Sequence, residues 1–215
     1  MKYKHVLFDL DGTLSESGTG IINSYAYTLD TYGIEYNEKD LVKFVGPPLR
    51  DNMLEYLKEG DDVEDYIKTY REYYDRQGLF ENNMYCGIKE MLEKFAHSGY
   101  KLHVASSKPT HYIEKILKNF GIFEYFTLIG GDHMEGGRGD KADVINYVLE
   151  NANICDKSSV IMVGDRKYDI IGAKECGIDN IGVLFGYGTR EELEEAGSDH
   201  IAETPQNIWE FISSK

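Results

Sequence analysis

The chain has 215 residues, of which 41% are hydrophobic, and carries a net charge of −15. That length and composition suit one folded core, or one core with a small appended domain. The negative charge is spread along the chain, which argues against a nucleic acid polymer or an anionic membrane as the main partner, because both bind basic surfaces.

A short buried strand, residues 6–10, is the first predicted element. Residues 16–80 then show apolar and tyrosine side chains three and four positions apart, without a convincing strand. That spacing indicates helices with one buried face. We interpret 16–80 as a helical cap domain inserted after the first strand, so that residues 1–15 and 81–215 form the core.

From residue 87 onward, predicted helices and strands alternate. The periodicity predicts helices over 88–96, 113–120, 142–149 and 170–176, and strands over 101–105, 126–129, 160–163 and 181–184. Such alternation implies parallel βαβ units. The predicted fold class is therefore α/β, a doubly wound, Rossmann-like parallel sheet with the helical insertion. The glycine-rich stretch 130–141 is predicted to be an exposed loop before a helix.

Polar side chains follow the predicted strands at the ends where ligands bind in an open parallel sheet. These residues are Asp9 and Asp11, then Ser106, Ser107 and Lys108, then Lys141, and finally Asp165 and Asp169. Because the carboxyl ends of parallel strands share one edge of the sheet, we expect these side chains to converge there.

Each of these residues alone has a plainer interpretation. The Asp9–Asp11 pair could form a turn, Ser106 could cap a helix, and Lys141 could be solvated. Asp165 could cap the next helix. Several carboxylates at one buried edge, however, would repel by several kcal/mol unless a cation joined them. The set therefore predicts a hard divalent cation, and Mg²⁺ is the usual choice beside a phosphate.

The same residue types fit phosphate chemistry. A carboxylate can attack phosphorus and form an acyl phosphate, which water can hydrolyse. A second acid two residues further on can protonate the leaving oxygen and later take a proton from water. Ser106 and Lys141 can hold the non-bridging phosphate oxygens.

Four segments carry a resemblance to a known family. FDLDGT (8–13), VASSK (104–108), the lysine of GDKADV (139–144) and VGDRKYD (163–169) resemble, in order and separation, the haloacid dehalogenase superfamily of aspartate-nucleophile phosphohydrolases. The likeness covers the sheet domain from residue 5 to about 185. KFVGPPLRDNM (43–53) and GYGTREEL (186–193) are similar to its bacterial 5′-nucleotidase and phosphoglycolate phosphatase members.

The resemblance implies roles for the four aspartates. Asp9 would be the nucleophile and a magnesium ligand. Asp11 would be the general acid and base, with its backbone carbonyl on the metal, and its presence favours phosphate chemistry over dehalogenation. Asp165 would bind the metal directly, and Asp169 would orient Asp165 or a metal-bound water.

The resemblance also implies that Ser106, Ser107 and Lys141 bind the phosphate, and that the cap closes over the substrate. Within the cap, Arg50 follows two prolines that fix the backbone, and its guanidinium suits a second anionic or polar group on the substrate. We name Arg50 as the candidate specificity residue; the alternative is a rigid turn with Arg50 in solvent.

Two other classes of function stay open: a mutase-type phosphotransferase, and a non-catalytic binding protein of the same fold. The expected partner is a small phosphate ester, and the expected assembly is a monomer or homodimer. Three widely separated cysteines and an N-terminal apolar run too short for a signal peptide favour a cytoplasmic location.

Overall fold

A computed structural model describes residues 1–134, 137–138 and 140–215. The chain forms two compact units, a larger one of residues 1–15 with 84–215 and a smaller one of residues 16–83. The strands are β1 (His5–Phe8), β2 (Ser15–Glu16), β3 (Asn83–Met84), β4 (Lys101–Pro109), β5 (Phe126–Asp132), β6 (Val160–Gly164), β7 (Asp179–Val183) and β8 (Ile201–Ala202). The α-helices are α1 (Gly18–Thr31), α2 (Leu49–Leu54), α3 (Val63–Arg76), α4 (Ile88–His97), α5 (Thr110–Asn119), α6 (Lys141–Asn151), α7 (Lys167–Cys176), α8 (Arg190–Glu195) and α9 (Pro205–Ser213).

The larger unit is built on a six-stranded sheet in the order β5-β4-β1-β6-β7-β8, with parallel pairing throughout. The chain fills the β4–β5 side of β1 first and the β6–β8 side afterwards, so the strand order reverses beside β1. This sheet, with its connecting helices, confirms the predicted α/β fold class. The carboxyl ends of β1, β4 and β6 lie side by side at the reversal, which is where open α/β sheets bind ligands.

The central strands β1 and β6 are apolar along most of their length. Residues 6–8 of β1 and 160–163 of β6 are fully buried, as expected for parallel strands with helices on both faces. Each large aliphatic side chain buried in this way contributes about 1.5–3 kcal/mol to folding. This rigid centre fixes the strand ends that carry the polar residues.

Some predicted boundaries shift for identifiable reasons. Helix α5 begins at Thr110, directly after Pro109, whereas apolar periodicity registers only from Ile113, its first fully buried aliphatic residue. Gly130 is buried in β5 rather than exposed in a loop, and a Cβ there would lie 2.4 Å from Val148. The rest of the predicted glycine-rich loop includes residues 135, 136 and 139, which lie outside the described residues.

The C-terminal elements α8, β8 and α9 were not predicted. Strand β8 has only two residues, which is too short to show an alternating pattern. No helix in the described ranges combines the length and apolar character that crossing a bilayer requires.

The smaller unit is a helical cluster rich in tyrosine. Tyr25 of α1 and Tyr70 of α3 meet edge to face with ring centroids 5.0 Å apart, a geometry that aromatic pairs favour. The apolar spacing within residues 16–80 predicts buried helical faces only in part, because Met53 is fully buried while Leu54 ends the six-residue helix α2 and is exposed.

Candidate active site

Three aspartates from distant parts of the sequence meet at the carboxyl end of the sheet. Asp9 directly follows β1, Asp165 directly follows β6, and Asp169 lies in the first turn of α7. One carboxylate oxygen of each lies within 4.8 Å of the others, and all three side chains are buried. This is the spacing at which one cation can contact all three.

Lys141, the first residue of α6, neutralises part of this cluster. Its Nζ lies 2.9 Å from Oδ1 of Asp9 and 2.8 Å from Oδ1 of Asp169. It also donates to the carbonyl oxygen of Ala105 at 3.1 Å. Burial lowers the pKa of the Lys141 ammonium, but the charges of Asp169 and Asp9 outweigh that effect, so its pKa is raised and it stays charged.

Burial and crowding also perturb two of the carboxylates. Burial raises the pKa of Asp9 to about 6, because the opposing attraction of Lys141 does not compensate for lost hydration and for the charges of Asp169 and Asp11. Burial, followed by the charges of Asp169 and Asp9, raises the pKa of Asp165 well above its usual range. Ionisation of these two carboxylates is therefore unfavourable in the absence of a cation, and perturbed pKa values of this kind cluster at functional sites.

The cluster fits a divalent metal ion. With its carboxylates ionised, the cluster of Asp9, Asp165 and Asp169 with Lys141 carries three negative charges and one positive charge, a formal excess of −2. Mg²⁺ has the matching charge and prefers oxygen ligands of this kind. The carboxylate cluster includes Asp169 and does not include the side chain of Asp11.

Asp165 is fixed by a loop that the sequence analysis gave no role. The backbone N–H of Tyr187 donates to Oδ2 of Asp165 at 2.8 Å, and the Thr13 hydroxyl lies 3.4 Å from Oδ1. At Gly186, a Cβ would lie 2.4 Å from Cβ of Asp165, so only glycine allows this approach. The available signal was the pair of glycines in GYG (186–188), one residue after the predicted strand 181–184.

Asp169 is held by the start of α7. Its Oδ2 accepts from the backbone N–H of Arg166, the residue before the helix, at 3.1 Å. At Gly164, a Cβ would lie 2.1 Å from Cγ of Asp169, so this position also requires glycine. The helix start therefore aims the Asp169 carboxylate back towards the strand end.

A second charged pair lies beside the carboxylate cluster. Nζ of Lys108 lies 2.7 Å from Oδ2 of Asp11, and both side chains are buried. The buried hydroxyl of Ser106 accepts from the backbone N–H of Lys108 at 3.4 Å, and Ser107 is half-buried next to it. Sequence reasoning places Lys108 at this sheet edge, in the VASSK segment, but assigns it no role.

Arg50 lies in the smaller unit, where its side chain is exposed and forms an ion pair with Glu64 of α3. An exposed pair of this kind contributes little to stability. Within its own unit, Arg50 is therefore held weakly rather than locked into a structural role.

Known proteins resemble this chain in sequence and in overall fold. The sequence model of the family described as haloacid dehalogenase-like hydrolase matches residues 6–183. A 5′-nucleotidase of Pseudomonas aeruginosa is 34% identical over 204 residues, 93% of this chain and 91% of that protein. The tyrosine-protein kinase PtkA of Mycobacterium tuberculosis is 36% identical over 194 residues, 90% of this chain and 66% of that protein. A solved structure described as a predicted phosphatase from Clostridium acetobutylicum has a TM-score of 0.93 at 40% identity and covers 100% of both chains.

Proposed function

The chain is a phosphatase that belongs to the haloacid dehalogenase-like hydrolase family, and from that premise we propose that it hydrolyses a small phosphate monoester through an aspartyl-phosphate intermediate, with Mg²⁺ as cofactor. The observation that carries the proposal is the buried carboxylate cluster with its excess charge of −2 beside Asp11. Asp9, Asp165 and Asp169 would hold the ion. When bound, Mg²⁺ would neutralise charge on the phosphate and the carboxylates.

The chain's own residues account for the bonds and protons of the reaction. The Asp9 carboxylate attacks phosphorus, the bond to the leaving oxygen breaks, and Asp11 gives that oxygen a proton. Asp11 then takes a proton from water as the water attacks the acyl phosphate, which releases inorganic phosphate and restores Asp9. Ser106, Ser107 and Lys141 bind the phosphate oxygens during both halves.

The proposed substrates are 5′-nucleotides or small phosphoesters such as phosphoglycolate, because the Pseudomonas relative is named a 5′-nucleotidase. A panel of nucleoside 5′-monophosphates, phosphoglycolate and pyrophosphate, assayed with and without Mg²⁺, tests this. We expect Mg²⁺-dependent phosphate release, with one class of ester preferred in kcat/KM. Absence of phosphate release from every compound would contradict the proposal.

A second candidate is phosphoryl transfer to an acceptor other than water, the chemistry named in PtkA. This chain matches 66% of PtkA, so a third of that protein has no counterpart in the match. Product analysis separates the two: hydrolysis yields one inorganic phosphate for each alcohol released, whereas transfer yields a phosphorylated acceptor and a phosphate deficit. A non-catalytic protein would yield neither product.

We predict that Asp11→Asn slows hydrolysis most for the esters with the poorest leaving groups. The amide cannot give a proton to the leaving oxygen, so alkyl phosphates should lose about 10²–10⁴-fold in kcat/KM, which reports the first half-reaction alone; that is the usual contribution of general acid catalysis. Dinitrophenyl phosphate needs no such proton and should lose far less. Steady-state kinetics on the two substrates measure the difference. Equal losses would assign Asp11 to another task, such as placing the metal.

For the smaller unit we propose that Arg50 selects the leaving portion of the substrate. Arg50→Ala should lower kcat/KM for the preferred ester and spare small generic phosphates, because the core residues handle only the shared phosphate. Glu64→Ala is the matched control, since it breaks the same ion pair and keeps the guanidinium. If both variants lower activity alike on all substrates, Arg50 serves the stability of the unit and is not a specificity residue.

A further inference from the structure

Lys108 holds one oxygen of the carboxylate that handles the leaving-group proton in the proposed mechanism. Its Nζ lies 2.7 Å from Oδ2 of Asp11, and the two side chains are only 8% and 9% exposed. The other oxygen of Asp11, Oδ1, is also buried and has no hydrogen-bond partner among the described residues. An orphaned buried acceptor is costly unless a ligand satisfies it. The pair therefore fixes one oxygen of Asp11 and leaves the other for the substrate.

The backbone of β4 is irregular where it delivers this lysine. Ala105 and Pro109 of β4 pair with Gly130 and Asp132 of β5, so four steps along one strand match two along the other. Extra residues of this kind form a bulge, which bends a strand and re-aims its side chains, often beside active sites. The bulge contains Lys108 and, with it, Ser106 and Ser107, two of the three predicted phosphate-binding residues.

Two buried lysines form ion pairs with different carboxylates of the site. Lys141 contacts Asp9 and Asp169, and Lys108 contacts Asp11. Removing Lys108 would leave a buried carboxylate without this ammonium, which is strongly unfavourable. Asp11 would then rotate towards another cation or towards water, and Oδ1 would leave its position.

We propose that Lys108 is a positioning residue for Asp11. Its ion pair with Oδ2 keeps Oδ1 of Asp11 within reach of the leaving-group oxygen and, later, of the attacking water. The inference rests on the proposed function and adds one residue to its mechanism. In the first half-reaction, protonated Asp11 keeps Oδ2 on Lys108 while the proton on Oδ1 moves to the leaving oxygen. In the second, the carboxylate takes a proton from water at Oδ1. Lys108 itself gives and takes no proton.

A double-mutant cycle tests whether Lys108 acts through Asp11. The variants are Lys108→Met, Asp11→Asn and the combination, assayed for kcat/KM, which reports the first half-reaction, on the best alkyl phosphate and on dinitrophenyl phosphate. Lys108→Met should lose more than about tenfold on the alkyl ester, within the range of general acid catalysis, and far less on the activated one. In the Asp11→Asn background it should cost nothing further, because coupled residues are not additive. Lys108→Arg, which keeps a cation, should recover part of the activity.

The control is Lys2→Met, which removes an ion pair with Asp179 away from the carboxylate cluster and should leave both substrates unaffected. Equal losses on the two substrates, or losses that multiply with Asp11→Asn, would overturn the proposal and place Lys108 on the substrate instead. If circular dichroism shows that Lys108→Met does not fold, Lys108→Gln is judged by the same outcomes. Wild-type protein without phosphate release would overturn the proposed function itself, whereas active wild type with an additive cycle would overturn only the role of Lys108.

Discussion

Asp9→Asn should keep the fold and lose nearly all turnover. The amide is almost isosteric with the carboxylate but is a very poor nucleophile, so the acyl phosphate cannot form. Loss of a catalytic nucleophile costs about 10⁶-fold where it has been measured, and we expect at least about 10³-fold here. Phosphate release under saturating substrate and Mg²⁺ measures the loss, and both alkyl and activated esters should suffer it equally.

The physical state of Asp9 gives this variant a second readout. Burial raises the pKa of Asp9 to about 6, from a usual value near 3.8. A raised carboxylate pKa means that stability falls as pH rises from the unfolded value through the folded one, so at pH 7 the ionised Asp9 opposes folding. Asp9→Asn removes that charge, and the metal-free variant should melt at the same temperature as wild type or higher.

Asp179→Asn supplies the matched control for this substitution. Asp179 begins β7 at the opposite end of the strand from the site and pairs with Lys2. Its amide variant should keep full turnover. A beryllium fluoride adduct on Asp9 of the wild type, seen by fluorine NMR, would support covalent catalysis. Near-normal turnover of Asp9→Asn would instead mean that water attacks the ester directly.

The sequence alone predicts the sheet well, because its strands are short apolar runs set between amphipathic helices. It also places Asp9 and Asp165 at one edge, since both directly follow buried parallel strands. Strand β8 escapes prediction because two residues carry no period. The contact of Lys108 with Asp11 escapes for a different reason, since it depends on a register shift between β4 and β5 that no local pattern reveals.

The contacts that orient Asp165 are equally hard to predict from the sequence. Its carboxylate is oriented by a backbone N–H, that of Tyr187, and any residue except proline can supply one. Only the steric demand at Gly186 leaves a trace in the sequence, as a glycine that a turn would explain equally well. Side chains that do chemistry are therefore visible from the sequence, while the backbone that aims them becomes visible only in the fold.

Removal of the metal should abolish turnover and lower thermal stability together. The carboxylate cluster carries an excess of −2 with Lys141 as its partner, so a divalent cation that binds the native state and not the unfolded state must stabilise the fold. Excess chelator should stop phosphate release, and added Mg²⁺ should restore it. In calorimetry without substrate, Mg²⁺ should raise the melting temperature of wild type and of Asp179→Asn, and much less that of Asp165→Asn.

The binding of Mg²⁺ should also weaken as the pH falls. Burial raises the pKa of Asp9 to about 6 and that of Asp165 well above its usual range, and metal ligands must lose their protons to bind. The apparent affinity for Mg²⁺, read from the melting temperature as a function of its concentration, should therefore weaken as pH falls towards and below about 6. An affinity that stays constant from pH 8 to 5, or full turnover in a verified metal-free preparation, would mean that these carboxylates do not bind the cation and that the buried cluster serves the phosphate group by another route.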